Sequence, residues 1–218
     1  MKKKIFIITP CSRTSNLKKI KKSINFDKIT KWLIVYDLKR IKNRKRNFSN
    51  NKNILEMFCF DKNSISGNSQ RNFALDYLNR KNDKNFFIYF LDDDNILHKN
   101  FDKIIDKIEK KKIYTFDQLR RAKTHLEGKF KYIKFLKGDK IKKGKIDMAM
   151  FVADFSLINS VRFVKSDYAA DGTYIEKCYL KNKTKHFYLP IVASHYNYFD
   201  RNILKSFYSE IKQKMSKS

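Results

Sequence analysis

The 218-residue chain carries 50 Lys and Arg against 22 Asp and Glu, a formal charge of +28, with 42% apolar and 15% aromatic residues. That apolar fraction excludes a disordered chain, and five glycines with two prolines exclude collagen-like and linker-rich architectures. No stretch approaches the roughly 20 apolar residues of a membrane span, and Ile5–Ile8 is too short for a signal-peptide core, so a cytoplasmic protein is expected.

Along the chain, Ile5–Ile8 reads as a buried strand stopped by Thr9-Pro10, and Leu17, Ile20 and Ile24 recur at helical spacing among lysines. Trp32–Tyr36 is a second strand closed by Asp37, and Ile54–Phe60 a third. Between them residues 38–53 carry Lys39, Arg40, Lys42, Arg44, Lys45 and Arg46 without periodicity, which predicts a mobile surface excursion. From Ser69 to Arg80, Phe73, Ala74, Tyr77 and Leu78 follow the pattern of a helix packed on a sheet. Phe86–Leu91 is the most strongly β-prone run and ends in Asp92-Asp93-Asp94-Asn95; a helix through Phe101, Ile104, Ile105 and Ile108 follows. This alternation predicts an α/β fold with a mostly parallel sheet, whose ligands sit at the carboxyl ends of the strands. In the second half, Lys129–Leu136 alternates like an exposed antiparallel strand, and Ile146–Phe155 is an apolar run interrupted by Asp147 and Asp154. Residues 171–181 read as helix, His186–Ser194 as strand, and 202–215 as an amphipathic segment flanked by lysines.

Two explanations of the charge stay open. Spread-out lysine alongside abundant Asn, Ile and Phe is what an A/T-rich genome imposes, whereas a functional charge suits an anionic membrane, a lipid-linked substrate or nucleic acid. Cys11, Cys59 and Cys178 are odd in number and far apart, with no CxxC pair, so reduced structural thiols are expected.

The main chemical signal is Asp92-Asp93-Asp94. Adjacent carboxylates repel and lose hydration at a strand end, and a hard cation bridging phosphates would relieve both; a solvated acidic turn capping the next helix is the other reading. The second signal is Gly67-Asn68-Ser69-Gln70-Arg71-Asn72, a tight turn with Ser69 as helix N-cap, which brings Arg71 to the same sheet edge. Arg71 as an ordinary surface ion-pair partner is the alternative.

Thr9-Pro10, Trp32–Asp37, Gly67-x-x-Gln70-Arg71-Asn72-x-Ala74-Leu75 and Phe90-x-Asp92-Asp93-Asp94-Asn95 stand in the order and spacing of GT-A glycosyltransferases. The chain resembles the animal glucuronosyltransferases of the proteoglycan linker, over roughly residues 4–200. Ile146–Phe151 is similar to that family's acceptor-side strand, Ala170–Glu176 to the stretch holding its catalytic acid, and Ser194-His195 to its late histidine. The resemblance implies a Rossmann-like central sheet with a smaller antiparallel acceptor-side part. It implies a single domain, with 1–95 the nucleotide-binding half, 96–200 the acceptor-side half and 201–218 a basic C-terminal helix.

By the same resemblance Asp37 contacts the base or ribose, Asp93 the ribose hydroxyls and Asp94 a Mn²⁺ or Mg²⁺ ion. Arg71 and His195 face the diphosphate or donor sugar, and Pro10 and Asp92 complete the donor set. Asp171 is the general base of an inverting transfer from a UDP-type sugar to a hydroxyl of a surface polysaccharide or lipooligosaccharide. Asp171 as a helix cap and His195 as a strand histidine remain alternatives. Ser66 stands where the family has arginine, which weakens glucuronic acid as the donor sugar, and Asp171 is shorter than the usual Glu. The implied partners are a nucleotide-sugar and a glycan or lipid-linked acceptor. An anionic membrane surface beneath 202–215 is a further expectation, and specific nucleic acid is not expected. Two competing functions are a nucleotidyltransferase, whose Gly-rich loop Pro10–Arg13 does not supply, and a basic nucleic-acid module stacking bases on Phe130–Phe135.

Overall fold

The computed structural model describes the backbone of residues 3–41, 44–123 and 130–199, and the side chains of all of these but 121–123 and 130–135. The amphipathic segment expected over 202–215 lies outside the described residues.

Four apolar runs form β1 (Ile5–Cys11), β2 (Lys31–Asp37), β3 (Ile54–Cys59) and β4 (Phe87–Phe90). Because strand side chains alternate faces, each run feeds two cores. Ile5 and Ile7, with Trp32, Ile34, Tyr36, Phe87 and Tyr89, pack in one layer. Ile8, Leu33, Val35, Ile88 and Phe90 pack in the other. The first layer is covered by α1 (Leu17–Ser23) and α3 (Phe101–Lys107). The second is covered by α2 (Asn68–Asn79), the short α4 (Phe155–Ile158) and α5 (Ala170–Lys181). Trp32, fully buried, settles its indole N–H on Thr9 Oγ1 at 2.8 Å.

The second half supplies β5 (Ile96–Leu97), β6 (Ile113–Lys123), β7 (Phe130–Leu136), β8 (Phe151–Asp154) and β9 (His186–Tyr196). The sheet runs β3-β2-β1-β4-β8-β6-β9-β5, with β7 paired to β6. Its β3-β2-β1-β4 half is parallel, and β8 enters antiparallel between β4 and β6. The carboxyl ends of β1, β2 and β4 therefore open at one edge, with Pro10 opposite Val35 and Ile8 opposite Phe90.

Four local expectations change. Strand β6 was not anticipated, because Thr115, Asp117 and Gln118 break its apolar pattern; all three are buried and paired, with His186, Tyr188 and Ser194 of β9 respectively. The run Ile146–Phe155 resolves into a 3₁₀ turn at Met148–Met150, β8 and the start of α4, with Asp147 and Asp154 each accepting a backbone N–H at the two helical starts. The N-cap of α2 is Gly67 at φ +77°, not Ser69, whose hydroxyl donates to Asp61. Within the 38–53 excursion, Asn47 and Phe48 are anchored, their N–H groups donating to buried Glu56, which also accepts from Tyr36.

Candidate active site

A cavity of about 430 Å³ opens at the carboxyl ends of β1, β2 and β4, the edge where an open α/β sheet holds its ligands. Six carboxylates line it, Asp37, Asp92, Asp93, Asp94, Asp147 and Asp171, against the three guanidinium groups of Arg13, Arg40 and Arg71.

The adjacent aspartates at the end of β4 diverge. Asp93 turns to the β1 loop and accepts from Ser12 N (2.6 Å), Ser12 Oγ (3.1 Å), Arg13 N (2.7 Å) and the Arg13 guanidinium. Both its oxygens are engaged, so the side chain expected to meet ribose is committed to shaping the loop that borders the cavity. Asp94 shares Arg13 at 2.8 Å, and burial together with Asp92 pushes its carboxyl up to about 6. Asp92 turns the other way, to Arg71 Nη2 at 2.6 Å.

Arg71 is not a surface residue. It is 1% exposed and reaches through Nη1 to Ser66 O (2.8 Å), Asn68 Oδ1 (3.2 Å) and Asp171 Oδ1 (3.2 Å), with Phe163 beneath its plane. One guanidinium thus joins the end of β4 to the first turn of α5. Only glycine serves at 67, where φ is +77° and a Cβ would come within 2.7 Å of Pro10 Cβ. This close approach sets the start of α2, and Arg71 with it, against β1.

Asp171 does not cap α5: the N-cap position is Ala169, and Asp167 receives the Ala169 N–H and the Thr173 hydroxyl. Burial raises Asp171 to about 6 against the lowering effect of Arg71. Asp147, held by Ala149 N and Gln118, is pushed up to about 8 by burial and by the charges of Asp171 and Asp92. Perturbed carboxylates in a cleft are where acid–base chemistry is found.

The cavity gathers Pro10, Asp37, Arg71, Asp92, Asp93, Asp94 and Asp171 among the anticipated residues. His195 is absent from its lining; its ring lies 5.0 Å from His98, and the next residues, Tyr196 and Asn197, face the cavity instead. Asp147, Arg13 and Tyr168, which is 85% exposed at the cavity, were not anticipated as site residues. The signal for Asp147 was a carboxylate inside an apolar run.

Among the described residues no three His, Cys, Asp or Glu side chains are grouped to cage a metal ion. The donor set fits a different binding mode, in which Mg²⁺ or Mn²⁺ takes one or two carboxylates and completes its shell from phosphate oxygens. Asp94, whose ionisation is resisted by burial and by Asp92, is the carboxylate such a cation would relieve.

No family model matches the chain, and no curated protein matches it by sequence. Among solved structures it superposes on residues 1–349 of Staphylococcus aureus TarS with a TM-score of 0.59 at 14% identity, covering 88% of this chain and 60% of that one. The same fragment in complex with UDP-GlcNAc gives 0.60 at 15% identity over 88% and 58%, and its UDP complex gives 0.59 at 13% identity over 88% and 60%. The chain spans about 60% of the TarS fragment. At this identity the likeness is one of fold, and the fold is the expected GT-A type, a mostly parallel α/β sheet with antiparallel additions.

Proposed function

We propose that the chain is a metal-dependent, inverting glycosyltransferase that moves a sugar from a UDP-type nucleotide-sugar to a glycan hydroxyl. The observation that carries this reading is Arg71, which ties Asp92, at the end of the nucleotide-side strand, to Asp171, so that a proton acceptor and a donor cavity share one wall. The UDP-GlcNAc complex of the TarS fragment, which has the same fold, supports the choice of donor.

In this mechanism Asp171, ionised above about pH 6, takes the proton of the acceptor hydroxyl at a carboxylate oxygen. The freed oxygen attacks the anomeric carbon from the face opposite the diphosphate, and the carbon–oxygen bond breaks with its electron pair leaving on the phosphate. Asp94 would hold Mn²⁺ or Mg²⁺, which supplies positive charge to the leaving diphosphate. Arg71 keeps Asp171 and Asp92 in place, and the loop clamped by Asp93 shapes the cavity wall. Melting the protein with Mn²⁺ and a panel of nucleotides tests the reading. A ligand at a hundred times its dissociation constant adds about 2.7 kcal/mol, roughly 5–11 °C for a chain of this size. No shift with any nucleotide would remove it.

A further inference from the structure

Five consecutive polar residues, Asn68 to Asn72, are buried at the start of α2. Four are consumed by the fold. Asn68 donates to Val164 O and Asp167 O, Ser69 to Asp61, and Asn72 pairs with Phe163 N–H and C=O, while Arg71 is ion-paired. Gln70 is the exception. It is 1% exposed and lines the cavity, and neither Oε1 nor Nε2 has a hydrogen-bond partner among the described residues. An unpaired buried amide weakens a fold, so an apolar side chain would serve packing better there.

We infer, on the nucleotide-sugar reading of the cavity, that the Gln70 amide reads the hydrogen-bonding edge of a pyrimidine base. Gly67, the N-cap three residues before Gln70, lies against Pro10 at the end of β1, and α2 packs over β1, β2 and β3. Gln70 lines the same cavity as Pro10 and Asp37, at the ends of β1 and β2, while Arg71 is committed to the end holding Asp92 and Asp171. The reacting groups crowd that acidic end, which leaves the β1–β2 end for the nucleoside. A primary amide offers one acceptor and one donor side by side. The N3–H and adjacent carbonyl of uracil are their complement, and both buried atoms of Gln70 are satisfied at once.

The test is a cycle with Mn²⁺ present, titrating parent and Gln70→Met with UDP and with UDP methylated at N3. Gln70→Met is expected to weaken UDP about tenfold to a hundredfold. N3-methylation should cost the parent a similar factor and the variant little more, because both changes remove the same contact. Without nucleotide the variant should melt no lower than the parent. Gln70→Glu, which keeps the shape and the acceptor but loses the donor, should fall between the two. UDP affinity unchanged in Gln70→Met, or an equal methylation penalty in both proteins, would overturn the assignment while leaving the nucleotide reading intact. A lower melting temperature of the nucleotide-free variant would overturn it too, by giving the amide a packing role. A parent that binds no nucleoside diphosphate would sink the nucleotide reading itself and the inference with it.

Discussion

On the β1 side of the cavity, Asp93 is met by two backbone N–H groups, a hydroxyl and a guanidinium. Across from it, Asp171 shares the single guanidinium of Arg71 with Asp92, and Asp147 stands beside them; burial and mutual repulsion hold Asp171 and Asp147 at about 6 and 8. A carboxylate with every lone pair engaged is an anchor. One left short of donors stores free energy that a ligand or a proton can release, and that is the condition for chemistry. The comparison assigns shape to one wall and, on the proposed function, reaction to the other.

The largest effect should come from breaking the reactive wall at its base. Asp171→Asn is expected to lower turnover by about 10²–10⁴-fold with little change in donor binding, measured by steady-state transfer and nucleotide titration. In the parent, activity should fall as pH drops through about 6, because protonated Asp171 cannot accept a proton. A folded Asp171→Asn variant with near-parent turnover would erase the division between the walls.

Next is the tie that holds that wall. Arg71→Met strands two carboxylates and should destabilise the protein by about 3–5 kcal/mol in urea unfolding. The deficit should shrink toward acid pH, where protonation removes the repulsion; a pH-independent deficit would make Arg71 a packing residue only.

On the anchoring wall, Asp93→Asn keeps the shape but confronts several donors with a donor of its own. About 2 kcal/mol of stability should be lost. With the clamp gone, nucleotide affinity should weaken alongside, since Ser12 and Arg13 line the cavity. Stability equal to the parent's would show that the clamp is not an anchor.

The smallest effect has the opposite sign. Asp147 keeps its proton in the folded chain to about pH 8, whereas the unfolded chain loses it near pH 4. Between those values the folded state binds more protons, so stability falls as pH rises. Asp147→Asn should leave stability unchanged near pH 4 and raise it at pH 8–9, by about 1 kcal/mol or more, roughly 2–4 °C. Calorimetry at the two pH values checks this, and parallel melting curves for parent and variant would contradict it.

Much of the parallel half was legible because its signals are local. Two-sided burial writes a continuous apolar run, as in Ile5–Ile8, Trp32–Tyr36 and Phe86–Leu91, and the three aspartates after the last run mark the edge where the cavity opens. Strand β6 was not legible, because a polar side chain buried against a partner 71–76 residues away looks like a loop residue in sequence. Asp147 escaped for the same reason, since Gln118 and the charges of Asp92 and Asp171 meet it only in the fold. Gln70 stood in a block already noted, but the lack of a partner for its amide among the described residues is a property of three dimensions. Arg71 was placed at the right edge, yet its burial and its ion pair with Asp171 depend on a contact between α2 and α5 that no local pattern carries.

The strand order also governs the molecule's passage off the ribosome. The parallel unit β3-β2-β1-β4 is complete once Phe90 has emerged, but β8, the partner that covers the far side of β4, ends about 60 residues later at Asp154. At 5–20 residues per second that interval lasts roughly 3–12 s. Through it Phe87-Ile88-Tyr89-Phe90 stands as an open, apolar edge strand, the kind that pairs with neighbouring chains. The nascent chain is therefore most vulnerable to aggregation in the window between β4 and β8, and slowed translation of residues 91–154 should lower its soluble yield.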